Sequence, residues 1–284
     1  MSAAAPALPV IVTGASSGIG LETAVGLARA GYRVVATVRD LGRTQALDEA
    51  AAAAGVELDV RRLDVTDEAS VAELVDGVVS SYGGLHGLVN NAGAAHLGTV
   101  ELDSMDAIRA AFEVNFFGVV AMTRAAMPHL RASSGVVVSI SSVGGIVGQP
   151  FNEAYCGAKF AVEGFMEGLA PVAATVGVRV VVVEPGAVAS AFVANAGVDP
   201  QAMIAAAGPY GPAAAGYLAR TAGAFANAQS SADAAAVVVS AVVDPATPFR
   251  VQTSAVAAGF VGIKLADLDG SAVQALTSSW VATA

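Results

Sequence analysis

Three side chains in the middle of the chain have the types and spacing to move a proton. Ser142, Tyr155 and Lys159 lie in the stretch SVGGIVGQPFNEAYCGAK at 142–159. If the segment from Ala154 onward is helical, the Tyr–x–x–x–Lys step sets phenol and ammonium one turn apart on one face. A lysine cation near a phenol favours the phenolate. This predicts proton exchange nearer neutrality than the free phenol value of about 10. The Ser142 hydroxyl, on a neighbouring loop, is suited to hold a substrate oxygen against that phenol. Alone, the pair fits an ordinary surface helix equally well, so its meaning depends on the elements that position it.

Those elements alternate. Val10–Thr13, Tyr32–Val38, Val56–Leu63, Leu85–Val89, Gly135–Ile140, Val178–Val183 and Phe249–Thr253 read as strands. Helical stretches separate them, among them one long helix over Met105–Leu130, another over Ala154–Val176 and a third over Ser231–Val243, with a helical tail at the C-terminus. Strands alternating with helices of this length predict an α/β fold. Right-handed crossovers then make a doubly wound parallel sheet with helices on both faces. Residues 1–8 read as a loose leader. The Ala/Gly/Pro-rich stretch 191–227 reads as a mobile helical lid. Without a linker between folding units, residues 1–284 are expected to form a single domain.

The 284-residue chain is 55% hydrophobic and 13% charged, which predicts a well-filled core. Its formal net charge is -10, from 14 Lys and Arg against 24 Asp and Glu, with no basic run. Nucleic acid and anionic lipid are poor partners for such a chain. Cys156 is the single cysteine, so no intrachain disulfide framework exists and a reducing compartment is expected. The opening MSAAAPALP lacks the basic and apolar regions of a signal peptide. The apolar runs at 180–184 and 234–243 are too short to span a bilayer. The expectation is a soluble, cytoplasmic protein with no membrane span.

A nucleotide site is expected at Thr13-Gly14-Ala15-Ser16-Ser17-Gly18-Ile19-Gly20, between the first strand and first helix. Glycines there let the backbone approach a pyrophosphate, whose charge meets the helix N-terminus. At the end of the second strand, Val38 offers no carboxylate for ribose hydroxyls. Arg39, with Ser17, suits a 2′-phosphate and favours NADP(H). Asp40 argues the other way, since a one-residue shift returns a carboxylate and NAD(H). Asp64 suits either an adenine amino group or a helix cap or turn. Asn90-Asn91-Ala92-Gly93 suits packing beside a cofactor or a plain turn. Asn115 sits mid-helix among apolar residues, where an amide needs its hydrogen bonds used.

In order, TGASSGIG, NNAG, Asn115, Ser142, Tyr155-Cys-Gly-Ala-Lys159 and Glu184-Pro185-Gly186 resemble the short-chain dehydrogenase/reductase family, from about Val10 to Ser190. ATVRD at 36–40 and SVGGIVGQPFNEAYCGAKFAVEG at 142–164 look most like its branch of 17β-hydroxysteroid and retinol dehydrogenases. The resemblance implies one Rossmann-type sheet of seven parallel strands and a homodimer or homotetramer formed through the helices at 105–130 and 154–176. It implies a tetrad in which Tyr155 is general acid or base and Ser142 positions the substrate oxygen. Lys159 then holds the nicotinamide ribose and lowers the phenol pKa, and Asn115 anchors a relay water. The cofactor set it implies is Gly14, Ser16, Ser17, Gly18, Ile19, Gly20, Arg39, Asp64, Val65, Asn91, Ala92, Gly93, Tyr155, Lys159, Pro185, Gly186, Val188 and Ser190.

Substrate contacts are expected from Ser142, Val143, Gly144, Phe151, Tyr155 and Phe192. Leu97, Met203, Tyr210 and Tyr217 extend a lining nearly free of charge, which suits an apolar ketone, aldehyde or alcohol. His96 reads as an exposed loop residue, and His86 and His129 as surface residues. No His or Cys pair has metal-ligand spacing, so no metal is expected. Cys156, without a histidine partner, reads as a buried inert thiol. The competing reading is a sensor that binds NADP(H) without turnover, against which the full tetrad argues.

Overall fold

The computed structural model describes residues 8–190, 192, 197 and 199–281. The leader through residue 7 and parts of the expected lid at 191, 193–196 and 198 lie outside the described residues. Seven parallel strands run β1 (Val10–Val12), β2 (Val34–Val38), β3 (Asp59–Arg62), β4 (Gly87–Asn90), β5 (Val136–Ile140), β6 (Arg179–Glu184) and β9 (Arg250–Gln252). Their order across the sheet is β3-β2-β1-β4-β5-β6-β9. The chain therefore works outward from β1 to one edge, then returns to the middle and works outward to the other. A crevice opens where that direction reverses, beyond the carboxyl ends of β1 and β4.

Alternation along each strand explains why helices cover both faces. Val10 and Val12 pack into one core cluster and Ile11 into the other. Val34 and Ala36 oppose Val35 in the same way, and Val181 and Val183 oppose Val180 and Val182. The first cluster takes Leu21, Ala24 and Leu27 from α1 (Gly18–Arg29), Leu47 from α2 (Gln45–Ala54) and Val238 from α9 (Ser231–Val243). The second takes Leu74 and Val78 from α3 (Glu68–Tyr82), Met122 from α5 (Gly118–Ser133), and Val162 and Met166 from α6 (Glu153–Ala174). Apolar side chains on both faces are what a fully covered strand requires.

Two elements differ from the sequence expectation. The helix expected over Met105–Leu130 is not uniform: α4 (Met105–Phe112) passes into a π segment at Glu113–Phe117 before α5 runs on to Ser133. Buried Asn115 sits inside that segment, and its amide bonds to backbone that regular α geometry would otherwise occupy. A second small sheet pairs β7 (Val188–Ala189) with β8 (Gln229–Ser230); two-residue strands leave no periodicity to read. In the lid stretch lie α7 (Pro200–Ala206) and α8 (Gly211–Ala226), followed beyond β9 by α10 (Ala255–Ala266) and α11 (Ser271–Val281). No helix among the described residues is long and apolar enough to cross a membrane.

Candidate active site

The glycine turn after β1 and the loop after β4 are built as one unit. Gly14 has φ +68°, and a Cβ there would stand 2.9 Å from the Ala92 Cα, so only glycine allows this approach. The Thr13 hydroxyl accepts from the N–H groups of Asn91 and Ala92, both at 2.9 Å. In return the Asn91 amide donates to the carbonyls of Thr13 and Gly14 at 2.9 and 3.0 Å. Asn91 thus ties the two loops together, and Thr13, which sequence reasoning treated only as part of the motif, is the other half of that tie. Gly18 also needs a positive φ, +59°, and a Cβ there would come 3.2 Å from the Ser190 Cβ. That closeness brings Ser190 to the turn.

This turn fits a pyrophosphate. Ser17 occupies the N-cap of α1 without making a side-chain cap bond, and the helix has no acidic residue in its first turn. The first N–H groups of α1, with Ser16 and Ile19 beside them, are therefore left for an anion.

At the end of β2, Asp40 spends its carboxylate on the N–H of Gly42 at 2.9 Å, capping the short turn Leu41–Arg43. Arg39 is exposed. Asp64 accepts from the Thr66 hydroxyl at 2.7 Å and its N–H at 3.0 Å. These bonds, the hydroxyl first, and then the nearby Arg39 and Arg62 hold the Asp64 carboxyl below its ordinary range. The helix cap is Asp67, which accepts from Ala69 at 3.0 Å. Asp64 is accordingly the turn aspartate. Val65 packs where α5 begins, 2.7 Å from the position a Cβ on Gly118 would take.

The four expected tetrad residues converge beside this crevice. Asn115, fully buried, accepts from Ala94 N–H at 3.2 Å and donates to the carbonyls of Ala94 and Ala111, both at 2.9 Å. Both amide protons are used, so on this side chain a water would find only the second lone pair of Oδ1. Lys159 is buried and donates to Ile140 O at 2.9 Å. A Cβ on Gly93 would lie 2.9 Å from Asn115 Oδ1 and 3.7 Å from Lys159 Nζ, so the glycine keeps that space open. The Ser142 hydroxyl accepts from Gly144 N–H at 3.0 Å and stands near enough to the Tyr155 phenol to act on its proton.

The electrostatics correct one expectation. Burial pushes the Tyr155 phenol above its usual range, and the Ser142 hydroxyl opposes this only in part. Lys159 Nζ lies 5.8 Å from the Tyr155 ring centroid, and burial remains the larger influence on the phenol. Burial also lowers Lys159 itself, to about 8, against the pull of Glu163. Cys156 is buried, with its thiol pushed up to about 11 chiefly by burial. Such a thiol makes a poor nucleophile.

Of the expected substrate contacts, Phe192 stands over the phenol, its ring centroid 6.0 Å from that of Tyr155. Gly144 packs beside Ser142 and Cys156, and Val143 donates its N–H to Pro185 O at 2.9 Å, which holds the Pro185–Gly186 turn against the serine loop. Val188 is buried in β7, and Ser231 donates to the neighbouring Ala189 carbonyl at 3.0 Å. Phe151 is buried against Tyr217 of α8, with centroids 5.7 Å apart, and Leu97 and Met203 join that packing. Tyr210 donates to Glu101 at 2.6 Å, and Asn152 bonds Tyr217, so the helical stretch 200–226 is tied to the loop after β4 and to the start of α6.

His96 is not a free loop residue. It pairs with Asp103 at 2.8 Å, because Gly98 leaves the carboxylate room to fold back. His86 and His129 are both half-buried, and His86 stacks on Tyr32 at 5.8 Å. A hollow of about 570 Å³ between α8 and α11, lined by Arg220 and Trp280, contains none of the tetrad.

Sequence reasoning passed over one group. Buried Glu163 and Glu184 and the half-buried Arg250 form a charged cluster one helical turn beyond Lys159. The available signal was the i,i+4 step from Lys159 to Glu163 on one face of α6.

A crevice at the strand-order reversal, a helix N-terminus without a cap, and a Ser–Tyr–Lys group beside it define a nicotinamide-dependent dehydrogenase of Rossmann type. Residues 9–201 match the family model described as short chain dehydrogenase, and the chain belongs to that family, on its hydroxysteroid and retinol dehydrogenase-like branch. It is 38% identical to bovine (Bos taurus) retinol dehydrogenase 8 over 278 residues, covering 92% of this chain and 86% of the relative. It is 42% identical to human (Homo sapiens) 17-beta-hydroxysteroid dehydrogenase type 1 over 190 residues, covering 64% of this chain and 57% of that protein. A solved short-chain dehydrogenase from Streptomyces avermitilis superposes with TM-score 0.76 at 32% identity, covering 99% of this chain and 97% of its own. The protein is an oxidoreductase acting on CH–OH groups.

Proposed function

We propose that this protein interconverts a bulky apolar ketone or aldehyde and its alcohol using NADP(H), with Tyr155 as the proton donor in reduction and acceptor in oxidation. The observation that carries this reading is the meeting of Ser142, Tyr155 and Lys159 beside the crevice that Asn91 and Thr13 brace. The nicotinamide cofactor supplies or takes the hydride when bound. Ser142 holds the carbonyl oxygen against the phenol. Burial keeps that phenol protonated across the neutral range, the form that reduction needs. Lys159, anchored on Ile140 O, supplies the cation that steadies the phenolate formed on proton transfer and has further N–H groups for the ribose hydroxyls.

Preference for the 2′-phosphate rests on three neighbours. Val38 carries no carboxylate, Asp40 is spent on Gly42, and Arg39 is exposed beside the Asp64 turn. The apolar substrate class is supported by Phe192 over the phenol and by Val143 beside the serine. The names of the retinol and hydroxysteroid dehydrogenase relatives agree with it. Homo-oligomer formation belongs to the same reading, supported by Phe117, Phe160 and Val172 exposed on the π segment and α6. Cytoplasmic residence does too, supported by a lone buried cysteine.

The test is NADPH oxidation against a panel of hydrophobic ketones, comparing wild type with Tyr155→Phe. The variant should lose about 10²- to 10⁴-fold in kcat/KM while still binding NADPH. Equal rates in the two proteins would overturn the assignment.

A further inference from the structure

Tyr155, Lys159 and Glu163 follow one another at four-residue steps along one face of α6. Glu163 is 4% exposed and Glu184, at the end of β6, is 0% exposed. Both turn to the same cation: Arg250 of β9 lies 2.7 Å from Glu184 Oε1 and 3.3 Å from Glu163 Oε2. Gln252 completes the Glu184 side with a 2.9 Å bond to Oε2. Arg250 is shared further with Glu167, at 3.2 Å, whose side chain is mostly exposed. Two buried carboxylates therefore share one guanidinium, and Lys159, one turn back on the same face of α6, feels the Glu163 charge. Glu163 Oε1 is buried with no hydrogen-bond partner.

The same cluster backs the segment that carries the serine. Lys159 holds the Ile140 carbonyl. A Cβ on Gly145 would meet both the Ser141 hydroxyl and, at 3.2 Å, the Glu163 Cγ. Lys159 and Glu163 thus grip Ile140–Gly145 from one helix face, with Ser142 between their contacts.

We propose that Glu163 is a positioning residue whose ionisation sets the charge on Lys159: as the carboxylate it keeps the lysine protonated, and as the neutral acid it releases that hold. The inference rests on the function proposed above and assigns its pH response to a residue outside the tetrad. The proton on Glu163 exchanges with solvent, so nothing is oxidised or reduced. The groups facing Glu163 are Lys159 and Glu167 on its own helix, Ser141 after β5, Glu184 on β6 and Arg250 on β9. Burial, the largest cause, and the repulsion of Glu184 push Glu163 up to about 7, against the Ser141 hydroxyl and Arg250. Lys159 is pushed down to about 8. Both groups therefore change charge within the neutral range.

Glu163→Gln keeps the shape and removes the charge. Lys159 should then lose its proton at lower pH, moving the alkaline limb of the kcat/KM profile for ketone reduction down by about half a pH unit or more. Glu167→Gln, which shares Arg250 from the exposed side, should leave that limb in place. Infrared difference spectra across neutral pH supply a readout without turnover. The wild type should lose a buried carboxylic-acid C=O band as pH rises, and Glu163→Gln should lack it. An unmoved limb, or no titrating band in the wild type, overturns the inference. If Glu163→Gln does not fold, Glu163→Asp takes its place: the band should shift in that variant, and an unshifted band overturns the inference, since Glu184 would then carry it. A wild type that turns over no ketone removes the function proposed above, and the infrared titration still judges Glu163.

Discussion

At the scale of single residues, roles divide between holding the backbone and facing the chemistry. Asn91 and Asp40 carry polar groups that a motif reading sends toward the cofactor, and both spend them on neighbouring loops. Arg39 is left facing solvent at the end of β2, where a 2′-phosphate would lie. Arg39→Ala should weaken NADPH binding about tenfold or more, the worth of a charge-assisted bond, with NADH nearly unchanged. Fluorescence titration with both nucleotides checks this; equal losses would remove the phosphate from Arg39. The expected low phenol pKa illustrates the opposite error. Spacing shows that a lysine is near, but the dielectric around the phenol is a property of the folded site, and desolvation wins there.

At the scale of elements, the break between α4 and α5 is the device that presents Asn115. The π segment lets the side-chain amide take the Ala111 carbonyl while also bonding Ala94 in both directions. Asn115→Ala would leave the Ala94 N–H and two carbonyls without these partners in a buried place. It should cost about 1–3 kcal/mol of stability and loosen the loop after β4, lowering kcat/KM with it. Chemical denaturation paired with the ketone assay checks both; full stability and activity would mean that the loop is held by other contacts. An out-of-place amide on an apolar helix was visible in the sequence, whereas the π segment was not, since the insertion leaves the apolar spacing of the whole stretch nearly helical. Gly157 belongs to the same scale. It looks like a helix defect, yet a Cβ there would press within 3.3 Å of Phe112, so the glycine sets how closely α4 and α6 pack.

At the scale of the molecule, buried charge makes stability depend on pH with two opposing slopes. Glu163 is raised in the folded state to about 7. Its contribution is therefore complete below the unfolded value of about 4.3 and is lost as pH rises through about 7. Glu184 is also raised, chiefly by burial, and acts in the same direction. Lys159 is lowered to about 8, so its contribution is complete above the unfolded value of about 10.4 and is lost as pH falls through about 8. These groups together predict a shallow stability minimum near neutral to mildly alkaline pH. In Glu163→Gln the descending acidic-side slope should be reduced, so the wild type should lose ground to the variant between about pH 4.5 and 7. Thermal melts of both proteins across that range check this; parallel curves would show that Glu163 does not titrate there.

The sequence alone determined the number and direction of the main strands and the glycine turn. These depend on local periodicity and on short motifs whose partners lie within a few residues. Tertiary structure decided what burial and long-range contact control: that Phe151 packs against Tyr217, that His96 is paired, and that the phenol is raised. It also decided that Glu163, Glu184 and Arg250, spread over 87 positions of chain, meet behind Lys159. Their meeting follows from the order β5-β6-β9 at one end of the sheet, a choice made by packing the whole chain.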